Sequence, residues 1–239
     1  MIVIPAVDLR DGACVQLVGG EYAEERVRLE DPLAVAREWA RLGFRRLHVV
    51  DLDAATGRGS NAGAVAEIVR HGGFDVVQVG GGVRDEAAVE RLLDAGASAV
   101  VVGTRALEDP DWLREVAEHY PHQIVLAADV RERWVVTRGW TQTLPRLVTD
   151  VVEELHDVPL AAVMVTAVHR EGQMQGADLP LMEDVVDAAH VPVFASGGVS
   201  SAADLRALQD RGVAGAIVGM ALYTGALDPR SVIEEFHED

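Results

Sequence analysis

Gly81-Gly82-Val83 and Gly197-Gly198-Val199 are two copies of one short motif, 116 residues apart, and they decide how the rest of the chain is read. The same spacing links Gly96 to Gly212 and Gly103 to Gly219. Apolar positions in the segments after each copy also match, Val89 with Leu205 and Leu92 with Leu208. In a chain with 23 glycines, three glycine matches at one offset can be chance. Glycines and a helical apolar face recurring together cannot, so the chain reads as two similar halves.

Outward from the motif, short β-branched runs alternate with amphipathic segments. The strand candidates are Ile2–Val7, Leu47–Asp51, Val76–Val79, Ala99–Val102, Ile124–Asp129, Ala162–Thr166, Val191–Ala195 and Ala216–Val218. Their nearly unbroken apolar character is that of parallel strands buried on both faces. Helical patterns lie between them at Pro32–Leu42, Asn61–His71, Glu86–Ala95, Asp111–Tyr120 and Ala202–Arg211. Asp31, Asp109 and Ser200-Ser201 stand where N-caps belong, and Gly43, Gly72, Gly96 and Gly212 where helices end. Strands each followed by a helix fit a doubly wound sheet or a closed barrel. The internal repeat decides for the barrel: an α/β fold, one (β/α)8 TIM-barrel domain over residues 1–239, built from two similar half-barrels.

Bulk properties narrow the function. The 239 residues are 49% hydrophobic, enough for a large core, and no apolar run reaches the ~18 residues of a membrane span. With no basic, apolar leader pattern at the N-terminus, a cytoplasmic location is expected. Cys14 is the single cysteine, which excludes an intramolecular disulfide and any multi-cysteine metal site. The eight histidines are scattered, and no metal is expected. The net charge is −18, from 39 acidic residues against 21 basic ones, every one of them Arg. Such a surface repels nucleic acid and anionic lipid, so neither is expected as a partner. The absence of Lys removes Schiff-base catalysis. A small anionic substrate would need backbone N–H groups and a few Arg to overcome the field. The protein is expected to act as a monomer.

In a barrel of this type the chemistry sits at the C-terminal ends of the strands. Gly80-Gly81-Gly82 follows the third strand and Gly103-Thr104 the fourth; Ser196-Gly197-Gly198 and Gly219-Met220 repeat this after the seventh and eighth. Glycine lets the backbone approach an anion, and N–H groups at a helix start point towards it. Two such cradles half a barrel apart predict a long ligand phosphorylated at both ends. Asp8 closes the first strand and Asp129 the fifth, 121 residues apart, so the two carboxylates occupy equivalent places between the cradles. A pair of this kind can divide the roles of general base and general acid when the environments separate their pKa values. His48, Asp51, Gln78 and Thr166 are further candidates at the mouth, with a core role for His48 equally open. Arg170 and Glu171 lie in the loop after the sixth strand, within reach of a ligand. Trp140, in the loop after the fifth, suits either stacking on a flat heterocycle or packing on the rim. The segment Gly12–Glu30, Gly-rich and charged, reads as a mobile lid.

Taken in order, Val3-Ile4-Pro5-Ala6-Val7-Asp8-Leu9, Leu47-His48-Val49-Val50-Asp51-Leu52-Asp53, Gln78–Arg84, Gly139-Trp140 and Ala195–Val199 resemble the phosphoribosylformimino-5-aminoimidazole carboxamide ribotide isomerases of histidine biosynthesis, over essentially the whole chain. The resemblance implies an Amadori rearrangement of an aminoaldose to an aminoketose, without a cofactor, on a substrate carrying a phosphate at each end. It also implies Asp8 as the base at C2 of the ribose, Asp129 as the acid that assists ring opening, an assisting Thr166, and Trp140 stacked on the aminoimidazole. The chain departs from many family members at Gln16, Ala167, Glu171 and Met220, where Arg, Asp, Asp and Arg are frequent, and those changes bear on specificity. The sister cyclase is disfavoured because its start, Cys-Leu-Asp with nearby lysines, is absent. A bifunctional isomerase that also handles phosphoribosyl anthranilate, and a non-catalytic phosphate-binding barrel, stand as alternatives.

Overall fold

A computed structural model describes residues 1–236. In its first half the strands are β1 (Ile2–Arg10), β2 (Ala13–Val18), β3 (Glu21–Leu29), β4 (Arg46–Asp51), β5 (Val76–Gly80) and β6 (Ala99–Val102), with helices α1 (Pro32–Leu42), α2 (Leu52–Thr56), α3 (Ala62–His71), α4 (Glu86–Asp94), α5 (Thr104–Glu108) and α6 (Pro110–His119). The second half holds β7 (Ile124–Arg131), β8 (Trp134–Thr137), β9 (Gln142–Leu147), β10 (Ala162–Ala167), β11 (Val193–Ser196) and β12 (Gly215–Val218), with α7 (Val148–Glu153), α8 (Leu179–Ala188), α9 (Ala202–Gln209), α10 (Met220–Tyr223) and α11 (Pro229–Glu235). Parallel pairing runs β1-β4-β5-β6-β7-β10-β11-β12 and returns from β12 to β1, which closes the predicted (β/α)8 barrel.

The alternation of a strand's side chains sorts the residues into two cores. Outward-facing Val3, Val7, Leu47, Val49, Val163 and Val165 pack against the helices in one continuous cluster. Inward-facing Ile4, Val101, Val125, Met164, Phe194 and Ile217 fill the barrel beneath the mouth. Phe194 fits because Gly215 faces it, where a Cβ would stand 2.8 Å from the ring. The helices begin as the sequence suggests. Asp31 accepts from Ala34 N, Asp109 from Trp112 N, and Ser201 forms a capping box with Asp204. Cys14 is buried, and its thiol is pushed up to about 12 by that burial, so it is an inert filler.

Two hairpins extend the barrel, and the apolar patterning announces neither. β1 turns through Asp11-Gly12 into antiparallel β2, and β2 through Gly19-Gly20 into β3. These turn residues all have positive φ, 49° and 77° at the first turn and 59° and 68° at the second, as two-residue hairpin turns require. The segment Gly12–Glu30, expected as a mobile lid, is therefore mostly strand. β7 likewise turns back through Glu132-Arg133 into β8 and β9. No helix among the described residues is long and apolar enough to cross a membrane.

Candidate active site

The last inward-facing residue of each barrel strand reaches one cavity of about 980 Å³ at the C-terminal mouth. Asp8 from β1, Asp129 from β7 and Thr166 from β10 line it, as do Gly81-Gly82, Gly103-Thr104, Ser196-Gly197-Gly198 and Gly219-Met220. Register explains the neighbours. Asp8 pairs with Val50 on β4, and Asp129 with Thr166 on β10, so the half-barrel repeat sets Thr166 against Val50. Asp51 lies one residue on and faces outward. It caps α2 by accepting from Ala54 N, which corrects its placement at the mouth.

Four carboxylates line this space; Glu108 is paired with Arg138, and Asp8, Asp129 and Glu171 form the remaining set. Burial raises Asp8 to about 7. It raises Asp129 as well, against two hydrogen bonds that favour the charged form, from the Trp140 indole N–H at 2.8 Å and from Thr166. Glu171 is raised to about 7, first by burial and then by the negative charges of Asp8 and Asp129. Its Oε2 is buried without a hydrogen-bond partner. Groups placed like this titrate as a coupled set, with Asp8 and Glu171 raised to about 7 and Asp129 raised from its ordinary value, which suits proton transfer in both directions. Gln16 Nε2 approaches Asp8 Oδ2 at 3.4 Å, a long contact, and fills the space in front of Gly219.

His48 faces the cavity, and burial lowers it to about 4, so its ring is neutral at pH 7. Gln78 does not line the cavity. It stands behind His48, its amide 2.8 Å from His48 Nδ1, where it orients the ring. Arg170 is also off the cavity wall, because its guanidinium turns back to the Gln175 carbonyl at 3.4 Å. Three arginines that the sequence reading passed over, Arg84, Arg105 and Arg138, do line the cavity beside the first glycine turn. No periodicity marked them; only their distance of one or two residues from the glycine turns or from Trp140 could have.

The two glycine turns are built alike. Gly81 has φ +104° and a Cβ there would overlap the Asp51 carbonyl oxygen; Gly197 has φ +93° and its Cβ would stand 2.9 Å from the Ala167 carbonyl oxygen. Gly82 is pressed against Ala54 in the same way as Gly198 is against Arg170. Every partner pair keeps the 116-residue spacing, so the repeat seen in sequence is also a repeat of close backbone approaches.

Three loops meet over the mouth. Trp140, with φ +67° beside Arg138 at +56°, turns its ring onto Gly20, where a Cβ would come within 2.5 Å. Gly19 N donates to the Glu171 carbonyl at 3.0 Å.

Fold and site together define a (β/α)8-barrel protein with paired carboxylates set between two glycine turns. The chain belongs to the histidine biosynthesis protein family, whose model matches residues 2–228. A Gemmatimonas aurantiaca protein named 1-(5-phosphoribosyl)-5-((5-phosphoribosylamino)methylideneamino) imidazole-4-carboxamide isomerase is 62% identical over 236 residues, covering 99% of each chain. Proteins of the same name are 53% identical over 236 residues in Myxococcus xanthus, covering 99% of each chain, and 41% identical over 229 residues in Methanothermobacter thermautotrophicus, covering 95% of each.

Proposed function

We propose that this chain catalyses the reaction its relatives are named for, the isomerisation of the aminoimidazole carboxamide ribotide aminoaldose to its aminoketose in histidine biosynthesis. The observation that carries the reading is the placement of Asp8 and Asp129 in one cavity at the barrel mouth between the two glycine turns. The turns hold the two phosphates through backbone N–H groups. Arg84, which bonds only backbone carbonyls, supplies local positive charge against the net −18 of the chain, while Arg105 and Arg138 are paired with Asp109 and Glu108.

Asp129 gives its proton to the ring oxygen of the ribosylamine as the C1–O bond breaks, which leaves a protonated imine at C1. Asp8, ionised, removes the proton from C2. The C–H electrons form the C1–C2 double bond of an enolamine, and the imine nitrogen takes up the displaced pair. Loss of the 2-hydroxyl proton then forms the C2 carbonyl while C1 receives a proton. C2 is oxidised and C1 reduced within one molecule, so no external oxidant or reductant enters. The raised pKa of Asp8 makes it a stronger base than an ordinary carboxylate, and about half of it is ionised near pH 7. Thr166 and the Trp140 indole hold the Asp129 carboxylate in place. From that position the Trp140 ring offers a flat face to the aminoimidazole, and neutral His48 lines the same cavity.

The test is steady-state turnover of the aminoaldose bisphosphate, coupled to the downstream cyclase, by wild type, Asp8→Asn and Asp129→Asn. Asp8→Asn should lower kcat on the order of a thousandfold, about 4 kcal/mol of transition-state stabilisation, with substrate affinity kept within a few-fold. Wild-type turnover that survives Asp8→Asn would remove Asp8 from the role of base.

A further inference from the structure

Asn61 precedes α3 in the N-cap position, yet its side chain does not cap that helix. It is buried, 7% exposed, and sits at the centre of a polar hub. Asn61 Nδ2 donates to Asp51 Oδ1 at 2.8 Å and to Asp53 Oδ2 at 2.9 Å, and reaches the Leu9 carbonyl at 3.3 Å. Asn61 Oδ1 accepts from Gly12 N at 2.9 Å, while its own backbone N–H donates to Asp51 Oδ2 at 2.6 Å. Asp53 Oδ2 also accepts from Asp11 N at 2.7 Å. Asp51 and Asp53 are themselves buried.

The hub joins two parts of the site. Leu9, Asp11 and Gly12 continue the strand end that carries Asp8. Asp51 lies directly under Gly81, whose Cβ would overlap its carbonyl oxygen. The second half-barrel is tied differently: at the 116-residue spacing the counterparts of Asp51, Asp53 and Asn61 are Ala167, His169 and Ala177, and in place of a buried amide an ion-pair set joins His169 to Asp178 at 3.2 Å and Arg133 to Asp178 at 4.0 Å. There the loop leans on the hairpin instead, through Gly19 N and the Glu171 carbonyl. A buried amide shared between two carboxylates and a strand end is expensive to leave half satisfied, which makes such a hub rigid.

We propose that Asn61 is a positioning residue for the reaction: it locks the Asp8 strand end to the first glycine turn, so that this turn is set for a phosphate before substrate arrives. The proposal rests on the reading that Gly81-Gly82 and Gly197-Gly198 each take a phosphate. The second turn, which lacks the hub, is then an internal control.

The experiment titrates inorganic phosphate into wild type and Asn61→Ala, following the backbone amide resonances of Gly82 and Gly198 separately. Asn61→Ala should weaken phosphate at Gly82 about tenfold or more and leave Gly198 within about twofold. The KM for the bisphosphate should rise by a similar factor. Because Asn61→Ala leaves two carboxylates short of a donor, Asp53→Ala serves as a milder variant. Asp53→Asn, which keeps an oxygen in place for Asn61 and Asp11, should restore phosphate binding at Gly82. A purely structural hub would lower thermal stability and change Gly82 and Gly198 alike, or neither, and either result overturns the proposal. A wild-type Gly82 that ignores phosphate overturns the phosphate reading itself, and the proposal with it.

Discussion

Replacing Glu171 by Gln should favour the folded protein more above neutral pH than below pH 4. The half-buried carboxyl lines the mouth, one of its oxygens is shut off from solvent without a hydrogen-bond partner, and Asp8 and Asp129 add negative charge nearby. Its pKa rises from 4.5 to about 7 on folding. The folded chain therefore holds a proton there that the unfolded chain releases at lower pH. Stability is at its full value below pH 4.5, declines as pH climbs, and levels off above about 7. A shift of that size corresponds to about 3 kcal/mol, a ceiling because the three carboxylates titrate together. Gln carries no charge, so its folded state has no such decline. A buried Gln has its own unsatisfied amide, a loss of about 1–3 kcal/mol, but that loss does not depend on pH. The quantity to measure is therefore the stability difference between variant and wild type at pH 8 minus the same difference at pH 4, from urea denaturation. It should favour Gln by about 2–3 kcal/mol. A difference that is flat from pH 4 to pH 8, or that favours Glu at high pH, would refute the burial argument for the whole carboxylate set.

The same set governs activity. The kcat/KM profile should rise through an apparent pKa of about 7 as Asp8 ionises, and Asp129→Asn should leave that limb in place; a flat profile between pH 6 and pH 8 would contradict the assignment. Trp140→Phe keeps a ring over Gly20 but removes the N–H that stabilises ionised Asp129. The descending limb should move to higher pH with KM changed only a few-fold, and a large KM rise without a pH shift would count against the hydrogen bond. Gly81→Ala meets both positive φ and the Asp51 carbonyl, so a loss of about 2–5 kcal/mol with collapse of activity is expected. Gly57→Ala has positive φ in open space, and should cost only about 1–2 kcal/mol; equal losses in thermal or urea melts would show that backbone conformation alone, not close approach, sets the difference.

The barrel was legible because its signals are local and repeated. Glycines and helical apolar positions recur at 116 residues, and buried parallel strands read as plain apolar runs. Asp8 and Asp129 were legible by the same symmetry. The hairpins were not, since Glu21–Leu29 alternates with charge on both faces and offers no apolar stripe. Asp11-Gly12 and Gly19-Gly20 were the available cue, two turn dipeptides flanking a short apolar run. Asp51 was misread for a related reason: side-chain direction depends on strand register, and one residue separates the cavity face from the helix face. Gln78 and Arg170 sit where the motif places them, but local hydrogen bonds decide where their side chains point, to His48 for the one and to the Gln175 carbonyl for the other. Long-range meetings such as Asn61 with Leu9, or Gly20 with Trp140, leave no periodic trace in a single sequence.

The most direct test of the central claim is to supply wild-type protein with the aminoaldose bisphosphate labelled with 13C at ribose C2 and to follow that carbon by NMR. An isomerase of this kind converts the hydroxyl-bearing C2 resonance to a ketone carbonyl in the wild type, and Asp8→Asn, folded and still binding substrate, does not. A C2 resonance that persists with well-folded wild type at saturating substrate would contradict the account.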